Sequence, residues 1–255
     1  VSSILPHSTG IDPKKSMRHP LEITDHSALL ALLYDRIDYE RRGPPDERAE
    51  FRLDRMRQLM EQLGNPADSL PCIHVAGTKG KGSTACMIEQ MARLAGYRVG
   101  LYTSPHLEHL EERFVVDGQA CQPGQLARLL QQLQPVVEML DRDDPRQQGP
   151  TFFDITTAMA ILYFQQSQVD LAILEVGLGG RLDSTNVCHP DAAIITNIGL
   201  DHTHLLGSTI EQIAAEKAGI IKHGIPVISG TRDARARAVI QDIADRQGAP
   251  LLLIE

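Results

Sequence analysis

The sequence contains no tryptophan, and phenylalanine with tyrosine supplies only 4% of its 255 residues. A core assembled from it is therefore mostly aliphatic. Cysteine is scarce too: Cys72, Cys86, Cys121 and Cys188 lie far apart, without the close pairing of a structural zinc site. They read as buried free thiols in a reducing compartment. No apolar run approaches the ~20 residues that a membrane span requires. The first twenty residues, Val1 to Pro20, hold proline, histidine, serine and lysine and no apolar signal region. Residues 1–22 therefore read as a flexible leader, and the chain as cytoplasmic. Nor is positive charge in excess: 25 lysines and arginines against 33 acids leave a net charge of −8. That argues against a broad nucleic-acid face but leaves room for a locally positive loop around a small anion. Internal repeats and low-complexity tracts are also missing.

What is present is concentrated in Ile73-His74-Val75-Ala76-Gly77-Thr78-Lys79-Gly80-Lys81-Gly82-Ser83-Thr84. An apolar strand stops at a glycine, and a helical pattern starts directly afterwards, with Ala85, Ile88, Met91, Ala92 and Ala95 on one face. Strand, glycine loop and helix form the context of a phosphate loop. Glycine lets backbone N–H groups converge on an anion, and the helix N-terminus adds its unpaired donors and dipole. Lys81 then reaches β- and γ-phosphate oxygens, and Ser83 or Thr84 offers a hydroxyl to phosphate or magnesium. The spacing departs from G-x-x-x-x-G-K-[ST], because Gly82 separates Lys81 from Ser83. A flexible glycine-lysine surface loop is the plain alternative.

Around this unit, helices are expected at 24–40, 47–63, 124–140, 151–165, 209–218 and 234–246. Pro135 is expected to end or kink the helix at 124–140 partway. Thr151 is a plausible N-cap, and Ser208 with Glu211 fits a capping box. Strands are expected at 73–76, 97–102, 170–176, 192–198, 226–229 and 251–254, with a short one inside 113–118. Alternating strands and helices predict an α/β fold with a mostly parallel, doubly wound sheet over residues 23–255. Such sheets bind ligands at the C-terminal ends of their strands. That rule gathers the glycine loop, Ser104, Glu175, and Asp201 with His202 and His204 around one crevice.

Each has a plainer reading. Glu175 ends an apolar strand, where a buried acid needs a partner or a metal, but it also fits a charge turning to solvent. Asp201-His202-Thr203-His204 offers ligands in a tight turn, yet zinc lacks a third spaced ligand. Asp201 fits a loop cap and His204 a solvated loop residue. Lys217, between Glu216 and Ala218, fits a solvated helix lysine. Lys81 differs, since a glycine-flanked lysine at a helix start has little structural reason to exist.

Several stretches together resemble one family. They are Leu63-Gly64-Asn65-Pro66, the loop His74 to Ser83, Thr103-Ser104-Pro105-His106-Leu107, Glu175 to Asp183, Asn197 to Thr203, and Glu216-Lys217-Ala218-Gly219-Ile220-Ile221. In order and spacing they resemble the folylpolyglutamate synthase and dihydrofolate synthase group of the Mur ligase superfamily. The family writes its P-loop with a glycine between lysine and serine. The resemblance implies an ATP-dependent ligase that adds L-glutamate to dihydropteroate or to a folate through an acyl phosphate. It implies that Gly77, Thr78, Lys79, Gly80, Lys81, Gly82, Ser83 and Thr84 hold ATP. Ser104, Glu175 and His202 become magnesium ligands, with two Mg2+ ions expected. Lys217 becomes a carbamylated lysine, so that Lys81, Lys217 and His202 serve catalysis. Phe153 and Asp183 fall where the family contacts the pterin ring. Lys79, Asp154 and His204 depart from the family's usual Asn, Glu and acidic residue, which bears on substrate details. The implied partners are small molecules, without nucleic acid or membrane, for a monomeric enzyme. A Mur-type cell-wall amino-acid ligase and a nucleotide-binding module inactive on its own are the alternatives. The family's second, C-terminal domain would then lie beyond this chain, which stops on what reads as an incomplete strand.

Overall fold

The computed structural model describes residues 30, 31, 33, 34, 36, 52–144 and 149–254. The expected leader at 1–22, most of the helix expected at 24–40 and the first five residues of that expected at 47–63 lie outside these residues. Leu30, Ala31, Leu33 and Tyr34 are helical, consistent with the first of those helices.

Helix α1, Leu53–Gln62, buries Leu53, Met56, Leu59 and Met60 on one side. Gly64 and Asn65 end its segment in left-handed conformations. Strand β1, Cys72–Ala76, follows, then α2, Lys81–Leu94, and β2, Val99–Tyr102. A 3-10 turn, Leu110–Arg113, leads into the hairpin β3, Phe114–Val116, and β4, Gln119–Ala120. Its turn is Asp117-Gly118, both at positive φ, as a two-residue hairpin requires. Helices α3, Pro123–Asp143, and α4, Phe152–Gln166, come next, then β5, Leu171–Glu175. After a 3-10 turn at Ser184–Val187 come β6, Ala192–Ile195, and α5, Thr203–Leu206. The chain continues through α6, Ile210–Ala218, β7, Val227–Ser229, α7, Ala234–Arg246, and β8, Leu251–Leu253.

The sheet order is β4-β3-β2-β5-β1-β6-β7-β8. From β2 across to β8 every pairing is parallel, and at the other edge β2–β3 and β3–β4 are antiparallel. β1 lies between β5 and β6, so the strand order reverses there. In a doubly wound sheet the crevice opens at that reversal, and the glycine loop leaves β1 at that point.

Alternation along β1 sends Ile73 and Val75 against α2, with Ala85, Val99, Leu101 and Ile173. The opposite face is covered by α1, α3 and α4, with Met56, Leu133, Phe152 and Phe164 at its centre. Among the described residues, no helix is long and apolar enough to cross a membrane.

Several expectations change. Pro135 does not end its helix, because Leu126, Leu129, Leu130, Leu133 and Val137 keep one buried stripe running through it. That packing against α4 outweighs the lost backbone bond. On α2, Met91 and Ala95 are exposed, and Glu89 is buried and paired with Arg93 instead. Cys86 is exposed on the same helix, unlike the other three thiols. The capping box of α6 is Thr209 with Gln212, one residue on from the expected pair.

Candidate active site

The phosphate side begins where β1 stops. Gly77 has φ 151, and a Cβ there would fall 1.9 Å from Thr196 Oγ1, so only glycine fits. The loop beyond it is tied to the segment after β6. Thr78 N–H donates to the Asn197 carbonyl at 2.9 Å, and Lys79 N–H to Asn197 Oδ1 at 3.0 Å. Thr196 Oγ1 and Asn197 Nδ2 both donate to the Lys79 carbonyl, at 2.7 and 2.9 Å. Gly80, at φ 77, caps α2 without a side chain of its own, and of the first N–H groups that of Gly82 turns to the Glu175 carboxylate. The positive end of a 14-residue helix is thus open beside Lys81, its first residue, which is the arrangement an anion seeks.

Two opposite charges are buried behind this loop. Glu175 ends β5 with 5% of its surface exposed, and its Oε2 accepts the Ser104 N–H at 3.1 Å. A Cβ on Gly82 would stand 3.3 Å from the same oxygen, so the helix start and the carboxylate are packed together. Burial raises the Glu175 pKa, opposed by the Ser104 amide, Lys81 and the Gly82 amide. Lys217 is the second charge. Far from being a solvated helix lysine, it is 3% exposed and donates to the Gly77 carbonyl at 3.0 Å. Burial, then the charge of Lys81, lowers its pKa to about 8, against the pull of Asp201 and Asp183.

His202 takes a left-handed conformation, φ 46, at the start of α5, and its Nε2 lies 3.7 Å from Asp201 Oδ1. Its side chain is half exposed, as is fitting for a group at a cavity rim. Among the described residues, no three His, Cys, Asp or Glu side chains gather as a metal centre.

A cavity of about 540 Å³ joins these groups to a second wall. Thr78, Lys79, Lys81, Ser104 and His202 line it on the phosphate side, and Phe153 and Asp183 line it on the other. Gly177 backs the Phe153 ring, since a Cβ there would meet Phe153 Cζ at 2.5 Å. The wall's two carboxylates are held by hydrogen bonds. Asp154, in the capping box of α4, accepts from Thr151 N at 2.9 Å, Thr151 Oγ1 at 2.7 Å and Ser184 Oγ at 2.6 Å. Asp183 accepts from Leu178 N at 2.8 Å, from Thr185 N at 3.0 Å, and from the Thr185 hydroxyl. Burial raises the Asp183 pKa, and the bonds from Thr185 and Leu178 oppose that rise.

The strand-end rule gathered the glycine loop, Ser104, Glu175, Asp201, His202 and His204, and the resemblance added Phe153 and Asp183; all of these but Glu175, which is buried behind the loop, contribute to the cavity lining. Ser83 is exposed, and Thr84 is half-buried within α2. Two residues were missed. Arg55 is buried in the wall, 3.8 Å from Asp154 Oδ2. Ser184 bonds the same aspartate. Arg55 carried a signal, because it interrupts the apolar side of α1 between Leu53 and Met56.

Comparison with known proteins agrees with this geometry. Residues 75–247 match the Mur ligase middle domain. The chain is 48% identical over 199 residues to a dihydrofolate synthase/folylpolyglutamate synthase of Bacillus subtilis, covering 78% of this chain and 46% of that protein. It superposes on the crystal structure of a folylpolyglutamate synthase from Thermotoga maritima with a TM-score of 0.79 and 36% identity, covering 89% of this chain and 49% of that one. A solved FPGS–AMPPCP–folate complex gives a TM-score of 0.80 at 37% identity, with coverage of 90% and 54%. The chain thus spans about half the length of these relatives.

Proposed function

Because the chain belongs to the Mur ligase middle-domain family, we propose that it is the ATP-using part of a ligase joining L-glutamate to dihydropteroate or to a folate. The observation that carries this reading is the juxtaposition of an open helix N-terminus, Lys81 and a buried carboxylate–lysine set with an aromatic and acidic wall across one cavity. The first half suits a nucleotide's phosphates, and the second a flat ring with N–H donors. The relatives named as folylpolyglutamate synthases support the assignment, including the one solved with AMPPCP and folate.

In this reading the substrate carboxylate attacks the γ-phosphorus of ATP, and the bond to the ADP oxygen breaks. The glutamate amine then attacks the acyl carbon and loses a proton, and phosphate leaves as the amide forms. The reaction asks the chain for no nucleophile of its own. Its part is positioning and charge neutralisation. Lys81 and the first amides of α2 meet the phosphate oxygens. Phe153 and Asp183 hold the ring so that its distant carboxylate points at the γ-phosphate.

The residues present fit magnesium. Glu175 is a buried carboxylate whose raised pKa marks incomplete charge compensation, and Ser104, whose N–H it accepts, carries a hydroxyl that is a second hard oxygen donor. These two, with His202, would hold the ion, which when bound neutralises charge on the phosphate oxygens. Lys217 suits a carbamate, because its lowered pKa leaves much neutral amine near pH 8. The soluble substrates would place such an enzyme in the cytoplasm.

The test is phosphate release by the protein from ATP and magnesium, with dihydropteroate or a folate, with and without glutamate. Release that depends on both the pteroate acid and glutamate is expected. Release indifferent to pteroate acids, or driven by nucleotide-linked peptide precursors instead, would overturn the reading.

A further inference from the structure

His74 is the polar residue of β1, whose other members are Cys72, Ile73, Val75 and Ala76, and it is fully buried. It belongs to neither the phosphate loop nor the ring wall. Its Nε2 lies 2.8 Å from Thr185 Oγ1. That hydroxyl also bonds Asp183 Oδ1, which accepts the Thr185 N–H as well.

Counting protons fixes the direction of the chain. A hydroxyl has one proton to give, and an ionised carboxylate has none. If Thr185 gives its proton to Asp183, only an N–H on His74 Nε2 can fill the contact on the other side. Nδ1 is then the unprotonated nitrogen. It is buried without a bond of full geometry, the Cys188 thiol being the weak donor against the ring, and an unmet lone pair there is less costly than an unmet N–H. Two bonds thus close on Asp183 Oδ1, and Oδ2 accepts Leu178 N–H at 2.8 Å with a lone pair to spare. Asp183 lines the cavity.

We propose that His74, acting through Thr185, is a positioning residue that presents Asp183 to the cavity as a pure acceptor for a ring edge bearing N–H donors. This rests on the ring-binding role given to Asp183 under the proposed function. The physical need is evident from the burial. A carboxyl so enclosed drifts towards its protonated form, in which it would offer a donor where an acceptor is wanted. The relay supplies fixed donors that favour the anion, and it stands behind the wall where substrate cannot displace it.

Four variants test the assignment: His74→Leu and Thr185→Val break the relay, whereas His74→Gln and Thr185→Ser keep a donor at similar reach. Loss of one such bond is expected to raise KM for the pteroate acid about tenfold, with kcat and the KM for ATP little changed. The acid limb of kcat/KM for that substrate should move to higher pH in the broken variants, and both effects should be reversed in His74→Gln and Thr185→Ser. Losses shared equally between ATP and the pteroate acid, an unmoved acid limb, or a glutamine variant as poor as leucine would overturn the proposal. The nitrogen-15 spectrum of the unaltered protein gives a measurement free of folding defects. His74 should carry its proton at Nε2, and an Nδ1–H tautomer would refute the relay. Should the unaltered protein ignore every pteroate acid, the substrate reading falls and takes the positioning role with it, while the tautomer still decides whether the relay exists.

Discussion

The two walls of the cavity handle charge in opposite ways. On the ring side, Asp154 and Asp183 each accept three hydrogen bonds from fixed donors. On the phosphate side, Glu175 accepts the Ser104 N–H and Lys217 donates to the Gly77 carbonyl, and burial pushes both towards their neutral forms, whereas the same push on Asp183 meets three donors. A satisfied group has little left to exchange and serves recognition. An under-compensated group gains most from an arriving charge, and so is suited to metal, phosphate or carbamate. Perturbed groups clustering at a cavity are the usual mark of chemistry.

Four substitutions probe this division. Lys81→Ala has the largest expected effect, since it removes the mobile positive charge. Amide synthesis should fall about 10²–10³-fold with little change in melting temperature, as read by ligation assay and thermal scan. Glu175→Gln should next raise the magnesium needed for half-maximal rate about 10–100-fold, and an unchanged requirement would make Glu175 a mere strand-end charge. Asp183→Asn, on the recognition wall, should raise KM for the pteroate acid about tenfold and leave ATP alone. Equal effects on both substrates would erase the contrast between the walls.

The smallest effect, and the one that sharpens the contrast, is on stability. Below about pH 8 Lys217 is charged in both folded and unfolded chains, and folding pushes that charge into a poorly solvated place. The fall from 10.5 to about 8 amounts to at most about 3 kcal/mol. Between those values the unfolded chain holds the extra proton, so native stability rises with pH, and above 10.5 the penalty is gone. Lys217→Met should therefore lose activity yet melt higher at pH 7, with the advantage shrinking as pH passes 8. Differential scanning calorimetry across that range would show it, and a methionine variant that melts lower at every pH would contradict it.

Much of this was legible in the sequence because it is local. A strand, a glycine loop and a helix start are adjacent in the chain, so Lys81 could be read directly. Glu175 stood out because a carboxylate ends an apolar run. What stayed hidden depends on distant packing. Nothing near Glu216-Lys217-Ala218 says the lysine is buried. That follows from the loop after β5, where a Cβ on Gly180 would come within 2.9 Å of the Glu216 and Lys217 carbonyls. Pro135 misled for a similar reason, since a stripe of leucines overrode a local breaker. The one-turn helix at Thr203–Leu206 is too short for any periodicity to announce.

The stapling of the phosphate loop has a kinetic consequence. Thr196, Asn197 and Gly199 hold Thr78 and Lys79 from the neighbouring strand's end, through bonds that belong wholly to the protein. A cradle whose shape is set in advance gives up little freedom when it is filled. Nucleotide capture should then run at the pace of diffusion and desolvation, without waiting for a loop to fold around it. Differences in nucleotide affinity among variants of this loop would be written in how long the nucleotide stays, and hardly at all in how fast it comes.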